Sequence, residues 1–494
     1  MTLDQQFIAK LTPTSIMKTF ADLLERKTDL LDGNIRIAKG SDGIDHLTFK
    51  KNINKHTGII CSKGIAGKYI FAPFREVIVP KPPYEKDQLK QAKEAGKIRI
   101  LSVSTIQDTI FQELMSQVLT LYAERKFINS IDMHSFAYRK NKSSKMAVQL
   151  IIEYIEQGYV HILDGDIEKF FDKIEHENLK RKTELFFGTE NPVLLRQLYR
   201  FMNVSRIPDG IYYEYRSTGL GAEKRLLGIP QGGVLSGLLA NIYLYDFDLY
   251  VINMLQAKYN FKYIRYADDF VLMFKSPAYI PEIFELLRIF LENEKLKLYP
   301  VDEKSKILDL SRNKCETLEF LGFDISPKFL RVKKANIKKF LHRIETVIKG
   351  ISADDIERYL LAVANRTKPK VIGLEELLSE NGFCQECENL LPKRNWIGYF
   401  MMIDDVRMLR NIDTRIRKLI YEDYHFKTKL HLKKKDLLNF GSQLLSLEKT
   451  YYLYKKQERL VLTGKLSYCK CSRHFDPKLN SIVIVPAAKT SDIS

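Results

Sequence analysis

Tyr263-Ile-Arg-Tyr-Ala-Asp-Asp-Phe-Val-Leu-Met-Phe274 sets two adjacent carboxylates, Asp268 and Asp269, between two apolar runs. Each run is strand-like in length and in its aromatic and branched content, and the polar pair between them reads as the turn of a β-hairpin. By itself an Asp-Asp turn is ordinary, because short carboxylates accept hydrogen bonds from nearby backbone. A second stretch changes that reading. Tyr159-Val-His-Ile-Leu-Asp-Gly-Asp166 is a short apolar strand that also ends in acids, and helical spacing separates it from the hairpin. Strand, helix and hairpin folded side by side in one sheet bring Asp166 next to Asp268. Carboxylates crowded in this way repel one another, and divalent cations relieve the repulsion. Two such ions, about 3.5 to 4 Å apart, activate an attacking hydroxyl and stabilise a leaving oxygen in an in-line displacement at phosphorus. Mg2+ suits that role because it takes oxygen ligands and keeps room for phosphate oxygens in its shell.

Bulk composition agrees with a phosphate-bearing partner. The chain has 494 residues, enough for two or three domains, and 45% are hydrophobic, which supplies real cores. Lys and Arg number 79 against 61 Asp and Glu, a net +18, and such a surplus favours a polyanion through counterion release. Nucleic acid is the first candidate and an anionic membrane surface the second. No apolar run approaches the roughly 18 to 20 residues that span a bilayer. The opening MTLDQQFIAKLTPTSIMKTF lacks the basic-then-apolar plan of a signal peptide. The expectation is a cytosolic protein with no membrane partner; nothing in the pattern sets an oligomeric state.

Six cysteines are too few and too scattered for a disulfide scaffold. Cys384-x-x-Cys387 and Cys469-x-Cys471-x-x-His474 could together supply a Cys3His set of the kind zinc takes. The second half is compressed and lies about 80 residues from the first, so reduced thiols are the preferred reading and zinc the lesser one.

Apolar periodicity predicts helices over 14–31, 107–127, 144–157, 175–187, 191–203, 238–256 and 280–294, a hairpin within 70–106, and a strand pair around 306–326. After Pro327 the character shifts to helices with basic faces, as in RVKKANIKKFLHRIETVIKG. Residues 425–494 form a further basic appendage, with a short β unit at 461–486. Expected boundaries are therefore 1–69, 70–327, 328–424 and 425–494.

Several blocks carry a family resemblance. Tyr266-Ala-Asp-Asp269 resembles the Tyr-x-Asp-Asp signature of reverse transcriptases, and Asp166-Ile-Glu-Lys-Phe-Phe-Asp172 resembles the first catalytic-acid motif of that family. Gly228-Ile-Pro-Gln-Gly-Gly-Val-Leu-Ser236 is similar to the Pro-Gln-Gly block in its group II intron form. Lys97-Ile-Arg99, Ser104-Thr-Ile-Gln-Asp108 and Ser135-Phe-Ala-Tyr-Arg139 are similar to the fingers motifs, and Glu303-Lys-Ser-Lys306 and Phe320-Leu-Gly-Phe323 to the late palm motifs. The blocks follow the family order from residue 42 to about 326.

The resemblance implies an α+β right-hand polymerase: an N-terminal fingers extension, fingers and a palm with an antiparallel sheet, a helical thumb, and the basic C-terminal extension. It implies two Mg2+ ions, with Mn2+ as a substitute, held by Asp166 and Asp268, with Asp269 as an accessory carboxylate and the Ile167 carbonyl as a further ligand. Phe171 falls at the family's aromatic gate under the sugar, favouring dNTPs, although from spacing alone a core aromatic beside Phe170 is an equal reading. Gln231 and Gly232 would meet the incoming nucleotide, and Lys97, Arg99 and Arg139 its triphosphate. Lys304 would meet phosphate or support the palm, and Leu321 and Gly322 form the primer-grip turn. The thumb helices would follow an A-form-like hybrid by shape, with Trp396 and Tyr399 in the core.

The implied partners are an RNA template, a DNA or RNA primer, dNTPs and a dedicated non-coding RNA. Two departures stand out. The usual Ser-Pro is Ser236-Gly237, loosening a helix start that proline favours, and the usual Asp-Arg is Asp108-Thr109, which removes a cation. No DNA-binding zinc endonuclease is recognisable in the C-terminal sequence. The leading expectation is a stand-alone bacterial enzyme serving in phage defence. The alternatives are an intron-encoded maturase and mobility protein, or a non-catalytic RNA-binding scaffold.

Overall fold

The computed structural model describes residues 1–28, 35–81, 84, 86–311, 316–372, 383, 384, 387–391, 395–433, 436 and 446–468. The chain divides into two compact units, one of Met1–Lys27, Ile35–Leu321 and Ile325–Lys328, the other of Thr28–Asn34, Gly322–Asp324 and Phe329–Ser494. Ten strands occur in the described residues: β1 (Phe74–Pro80), β2 (Ile98–Val103), β3 (His161–Asp166), β4 (Arg206–Ile207), β5 (Phe261–Tyr266), β6 (Asp269–Phe274), β7 (Lys306–Asp309), β8 (Leu318–Phe320), β9 (Phe323–Ser326) and β10 (Phe329–Val332).

In the first unit, helices Leu3–Lys10, Pro13–Lys27 and Ile53–Ile65 pack on the long helix Ile106–Ser130. That helix begins at Thr105, whose hydroxyl accepts the Asp108 N–H at 3.0 Å, an N-cap that satisfies one of the otherwise orphaned amides. Ile110, Phe111, Leu114, Met115, Val118 and Leu119 recur at helical spacing and are all buried. The rings of Phe7, Tyr69 and Phe71 converge on Phe111, with centroids 5.6, 3.9 and 5.7 Å away. β1 and β2 form the expected hairpin, antiparallel with Arg75 opposite Val103, and β4 adds parallel to β1.

The central sheet has the order β5-β6-β3-β7, antiparallel throughout. Leu163, Phe261, Tyr263, Phe270, Leu272 and Phe274 join one continuous core. Ile162, Ile264, Val271 and Met273, one residue out of phase, are buried as well. Both faces are therefore covered, which is why the strands read as unbroken apolar runs instead of alternating. Gly165 pairs with Phe270 across β3 and β6, and a Cβ on it would lie 2.2 Å from the Phe270 ring. The aromatic thus occupies the space a side chain at 165 would need.

The expected single helix at 238–256 is instead a run of short pieces, Ser236–Tyr243, Tyr245–Leu249 and Gln256–Lys258, with a π-helical turn at Tyr250–Leu255. Tyr250 in that turn stacks on Phe290 at 4.6 Å; its register serves that contact rather than the α-helical period.

In the second unit, helices Lys334–Lys349, Ile356–Ile372, Val406–Thr428 and Leu447–Leu462 pack together. Trp396 stacks on Phe340 at 4.4 Å and Tyr399 meets Phe400 at 4.8 Å, so both serve packing. Buried Asp413 accepts the Leu447 N–H at 2.8 Å and the Ser446 hydroxyl at 3.0 Å, anchoring the start of the last helix. Residues 461 and 462 are the end of that helix, Tyr468 makes an isolated parallel bridge with Leu390, and the expected unit from 469 on lies outside the described residues. Cys384 is buried and packs with Cys387 and Leu391; Cys469, Cys471 and His474 of the zinc set lie outside the described residues. Among the described residues no helix is long and apolar enough to cross a membrane.

Candidate active site

The hairpin of β5 and β6 turns through Ala267 and Asp268, and the register of the central sheet sets Asp166, the last residue of β3, opposite Asp269, the first of β6. Ala267 adopts a left-handed φ of +61°, a conformation that alanine holds only when its surroundings impose it. Arg265 imposes it from below. Its fully buried guanidinium donates from Nη1 to the Ala267 carbonyl at 2.9 Å and to Asn241 Oδ1 at 3.1 Å, and its Nε–Nη2 edge clasps both oxygens of the equally buried Asp248. The Tyr263 hydroxyl donates to the same carboxylate at 2.6 Å.

The result is a cluster in which one carboxylate oxygen from each of Asp166, Asp268 and Asp269 lies within 4.8 Å of the others. Three hard oxygen donors at that spacing fit a divalent cation of the Mg2+ or Mn2+ type, while the absence of sulfur or imidazole in the set argues against zinc. The bridge between Ile167 and Leu298 is flanked by bonds that use the carbonyls of Asp166 and Lys297, not that of Ile167. That carbonyl thus stays outside the bridge.

Crowding shows in the acidities. All three carboxyls are pushed above the ordinary aspartate range, each first by burial. At Asp166 the Lys304 ammonium opposes burial and Asp268 adds to it; at Asp268 a backbone bond, Arg99, Arg265 and Lys304 oppose it. Asp269 rises furthest, to about 7, with Asp268, Asp166 and Asp164 adding to burial. Its side chain keeps an exposed edge, and solvent there tempers both the burial and the neighbouring charges.

A carboxyl whose pKa is raised on folding contributes stability below its unfolded value near 3.8, and loses it as pH climbs through the folded value near 7. A cation on the deprotonated cluster offsets that loss and releases protons as it binds. Mg2+ is therefore expected to raise the melting temperature more at pH 8 than at pH 5.5, and Asp269→Asn to flatten the difference. Equal shifts at both pH values, measured by differential scanning fluorimetry, would contradict the assignment.

Around the cluster the chain supplies cations, and nearby segments of backbone approach one another closely. Lys304 Nζ lies 3.8 Å from Asp166 and 3.9 Å over the Tyr299 ring, and Tyr299 N–H donates to the Asp166 carbonyl at 3.0 Å. Arg99 and Lys97 are exposed on and beside β2. Gln231 carbonyl accepts the Ser102 N–H of β2 at 2.7 Å, and its amide donates to Asp172 at 3.1 Å. Gly232, at φ +113°, runs so near Ser102 that a Cβ would sit 2.9 Å from its carbonyl oxygen, a close approach open only to glycine. Phe171 is half-buried, its ring edge-on to Phe170 at 5.5 Å, and its carbonyl accepts the Ile229 N–H at 2.9 Å. Leu321 and Gly322, at φ +50° and +90°, form the two-residue turn between β8 and β9, the backbone that such a hairpin demands.

Residues 79–325, half of the chain, match the family described as reverse transcriptase (RNA-dependent DNA polymerase). The chain belongs to the reverse transcriptase family. It is 25% identical over 301 residues to protein YkfC of Escherichia coli K12, covering 54% of this chain and 71% of that one. To the group II intron-encoded protein LtrA of Lactococcus lactis it is 25% identical over 319 residues, which are 52% of this chain and 48% of LtrA. It thus spans about half of LtrA's length. Among solved structures, apo telomerase from Candida tropicalis is similar at TM-score 0.43 and 12% identity, covering 93% of this chain and 85% of that one.

In this reverse transcriptase one expected site residue is corrected. The Arg139 guanidinium is fully buried. Its Nη2 lies 3.0 Å from Glu124, its Nε 3.2 Å from both oxygens of the same carboxylate, and it also donates to the Ser135 carbonyl and Asp132. A charge so committed is structural; withdrawing it to grip a triphosphate would strand Glu124. Lys81, which sequence reasoning passed over inside Val-Pro-Lys-Pro-Pro, stands within electrostatic range of Arg99, Lys304 and Asp166. Its ammonium is pulled below the ordinary lysine value first by partial burial, then by Arg99 and Lys304, and its charge lowers Asp166 in turn. Nothing in its proline-flanked sequence marks it for that position.

Proposed function

We propose that this reverse transcriptase extends the 3′-hydroxyl of a primer on an RNA template with dNTPs, through two Mg2+ ions held by Asp166 and Asp268 with Asp269 as accessory. The single observation that carries the reading is the convergence of three carboxylates at one end of the central strands β3 and β6, within a chain whose matched region is that of reverse transcriptases. When bound, the ions would supply the positive charge that lowers the pKa of the attacking hydroxyl and steadies the leaving oxygen. Lys81, Arg99 and Lys304 draw the triphosphate toward the carboxylates, with Lys97 behind them, and offset charge that grows on the phosphates. Gln231 and Gly232 offer backbone and amide contacts to the nucleotide. Phe171 presents its ring where a ribose 2′-hydroxyl would fall, and Leu321 and Gly322 contact the primer.

Phe171→Ala is expected to raise ribonucleotide incorporation relative to deoxynucleotide by roughly tenfold or more, the order that one lost steric contact allows. Competitive primer extension with paired dNTP and rNTP checks it, and an unchanged preference would remove the gate role.

Two biological settings are proposed for the enzyme in the bacterial cytosol. A stand-alone role in phage defence rests on the basic segment 425–494, and a maturase role in a group II intron on the similarity to LtrA. Sequencing RNA that co-purifies with the protein separates them: a structured intron RNA supports the maturase role, and a separate non-coding RNA the stand-alone one. Primer extension on an RNA template, by the intact chain and by the protein carrying Asp268→Ala and Asp269→Ala, tests the polymerase chemistry itself; equal synthesis by both would contradict it.

A further inference from the structure

Tyr138 stands out among the residues that face the carboxylates. It is 55% exposed yet held at a left-handed φ of +55°, a backbone state that a tyrosine keeps only when its neighbours over-determine it. The neighbours are visible. Phe136 N–H donates to the Arg265 carbonyl at 3.0 Å, strapping the loop to β5, and the Ala137 carbonyl accepts from Asn241 Nδ2 at 2.8 Å. On the other side, Arg139 is locked in its ion pair with Glu124. The loop therefore spends a buried salt bridge and a buried amide on pointing one aromatic ring outward.

The ring has two contacts that matter. Its edge meets the Phe171 ring at 6.3 Å and an interplanar angle of 82°, an edge-to-face geometry that favours a fixed mutual orientation. Its base lies on Gly237, where a Cβ would sit 2.5 Å from Tyr138 Cγ and 2.6 Å from Cδ1. This accounts for Ser236-Gly237 in place of Ser-Pro: a proline at 237 could not coexist with the ring as placed. The charges of Asp268, Asp269 and Arg99 all reach the phenol, so the ring stands within electrostatic range of the carboxylate cluster while touching Phe171.

We infer that Tyr138, seated on Gly237, is a specificity-determining residue that braces the Phe171 ring and so sets the enzyme's preference for deoxynucleotides. The inference rests on the polymerase reading above for its substrate class, but its mechanical part, ring on glycine and ring on ring, stands on this chain's own contacts. The brace acts through the aromatic ring, so the hydroxyl is dispensable to it and the Cβ-free residue at 237 is not.

The test uses the full chain with a dideoxy-terminated DNA primer on an RNA template, Mg2+, and either dATP or ATP opposite a templating uridine. The ratio of their dissociation constants is read by anisotropy of a labelled primer or by thermal shift. Tyr138→Phe should keep the dATP preference, Tyr138→Ala should reduce it about tenfold, and Gly237→Ala should reduce it similarly. In the doubly substituted protein Gly237→Ala should add nothing, because the ring it displaces is gone; such non-additivity is the signature of two residues acting through one contact. Melting curves of each variant accompany the ratios, and Tyr138→Ala, at an exposed side chain, is expected to fold. A preference unchanged by Tyr138→Ala, or equal losses from Gly237→Ala with and without the ring, would overturn the brace. Extension of an ordinary primer is run in parallel: no extension alongside a Tyr138-dependent preference would defeat the polymerase reading and leave the brace standing, whereas extension with an indifferent preference does the reverse.

Discussion

Primer extension by the protein carrying Asp268→Ala and Asp269→Ala is expected to fall by at least about 1,000-fold, the order seen when a charge-stabilising group is deleted from an active centre. The reason is compositional as much as geometric. Asp166 alone retains one carboxylate of a three-oxygen set, too few hard donors to hold a divalent pair against bulk water. Neither the fold nor RNA binding should suffer with it. The deleted carboxyls are held above their ordinary acidity by burial and by each other, so removing them relieves repulsion, and the melting temperature at pH 8 should hold or rise. RNA affinity comes from the cationic surplus of 79 Lys and Arg over 61 acids and should keep its steep dependence on salt. Extension assays beside fluorescence-anisotropy titrations check both halves. Undiminished synthesis would exclude the catalytic assignment, and loss of RNA binding together with melting temperature would reduce the acids to a structural role.

The largest effect on stability is expected at Asp248, which touches no substrate. Asp248→Ala leaves the Arg265 guanidinium fully buried without its counterion, and breaking one partner of a buried pair costs about 3–5 kcal/mol. The same change strands the Tyr263 hydroxyl, which donates to that carboxylate. It also frees the guanidinium that holds the Ala267 carbonyl and its left-handed turn. Loss of activity should therefore exceed what the unfolded fraction explains, because the turn carrying Asp268 is no longer fixed. Urea denaturation followed by circular dichroism, with extension rates measured well below the transition, checks this. An unaltered midpoint would show that the pair is not the keystone of the hairpin.

What could be read in advance followed local pattern. Asp268 and Asp269 lie between two period-matched strands, and Asp166 closes another, so sheet register alone was enough to suggest their meeting. Helices with strong apolar periodicity, such as Ile106–Ser130 and Ile280–Asn293, start and stop within a few residues of expectation. Contacts between distant side chains were not legible. Nothing in Ser-Phe-Ala-Tyr-Arg139 announces that Glu124, on a helix fifteen residues earlier, will claim the arginine. Gly237 reads in sequence as a weakened helix start, whereas in the fold it is the surface on which the Tyr138 ring lies. The π-turn at Tyr250–Leu255 was equally hidden, since an extra residue in a helical turn leaves the apolar composition unchanged and shifts only which face Tyr250 presents to Phe290. Lys81 was lost between prolines for the same reason: its role depends on where β1 ends relative to Arg99 and Lys304, not on its neighbours in sequence.

The most direct test is anomalous diffraction from crystals of the protein soaked in Mn2+ with an RNA template, a dideoxy-terminated primer and a matching dNTP. The expected result is manganese bound between the Asp166 and Asp268 carboxylates, within reach of the dNTP phosphates. A nucleotide seated at the primer end, in a protein that extends primers, with no manganese on those two side chains would contradict it.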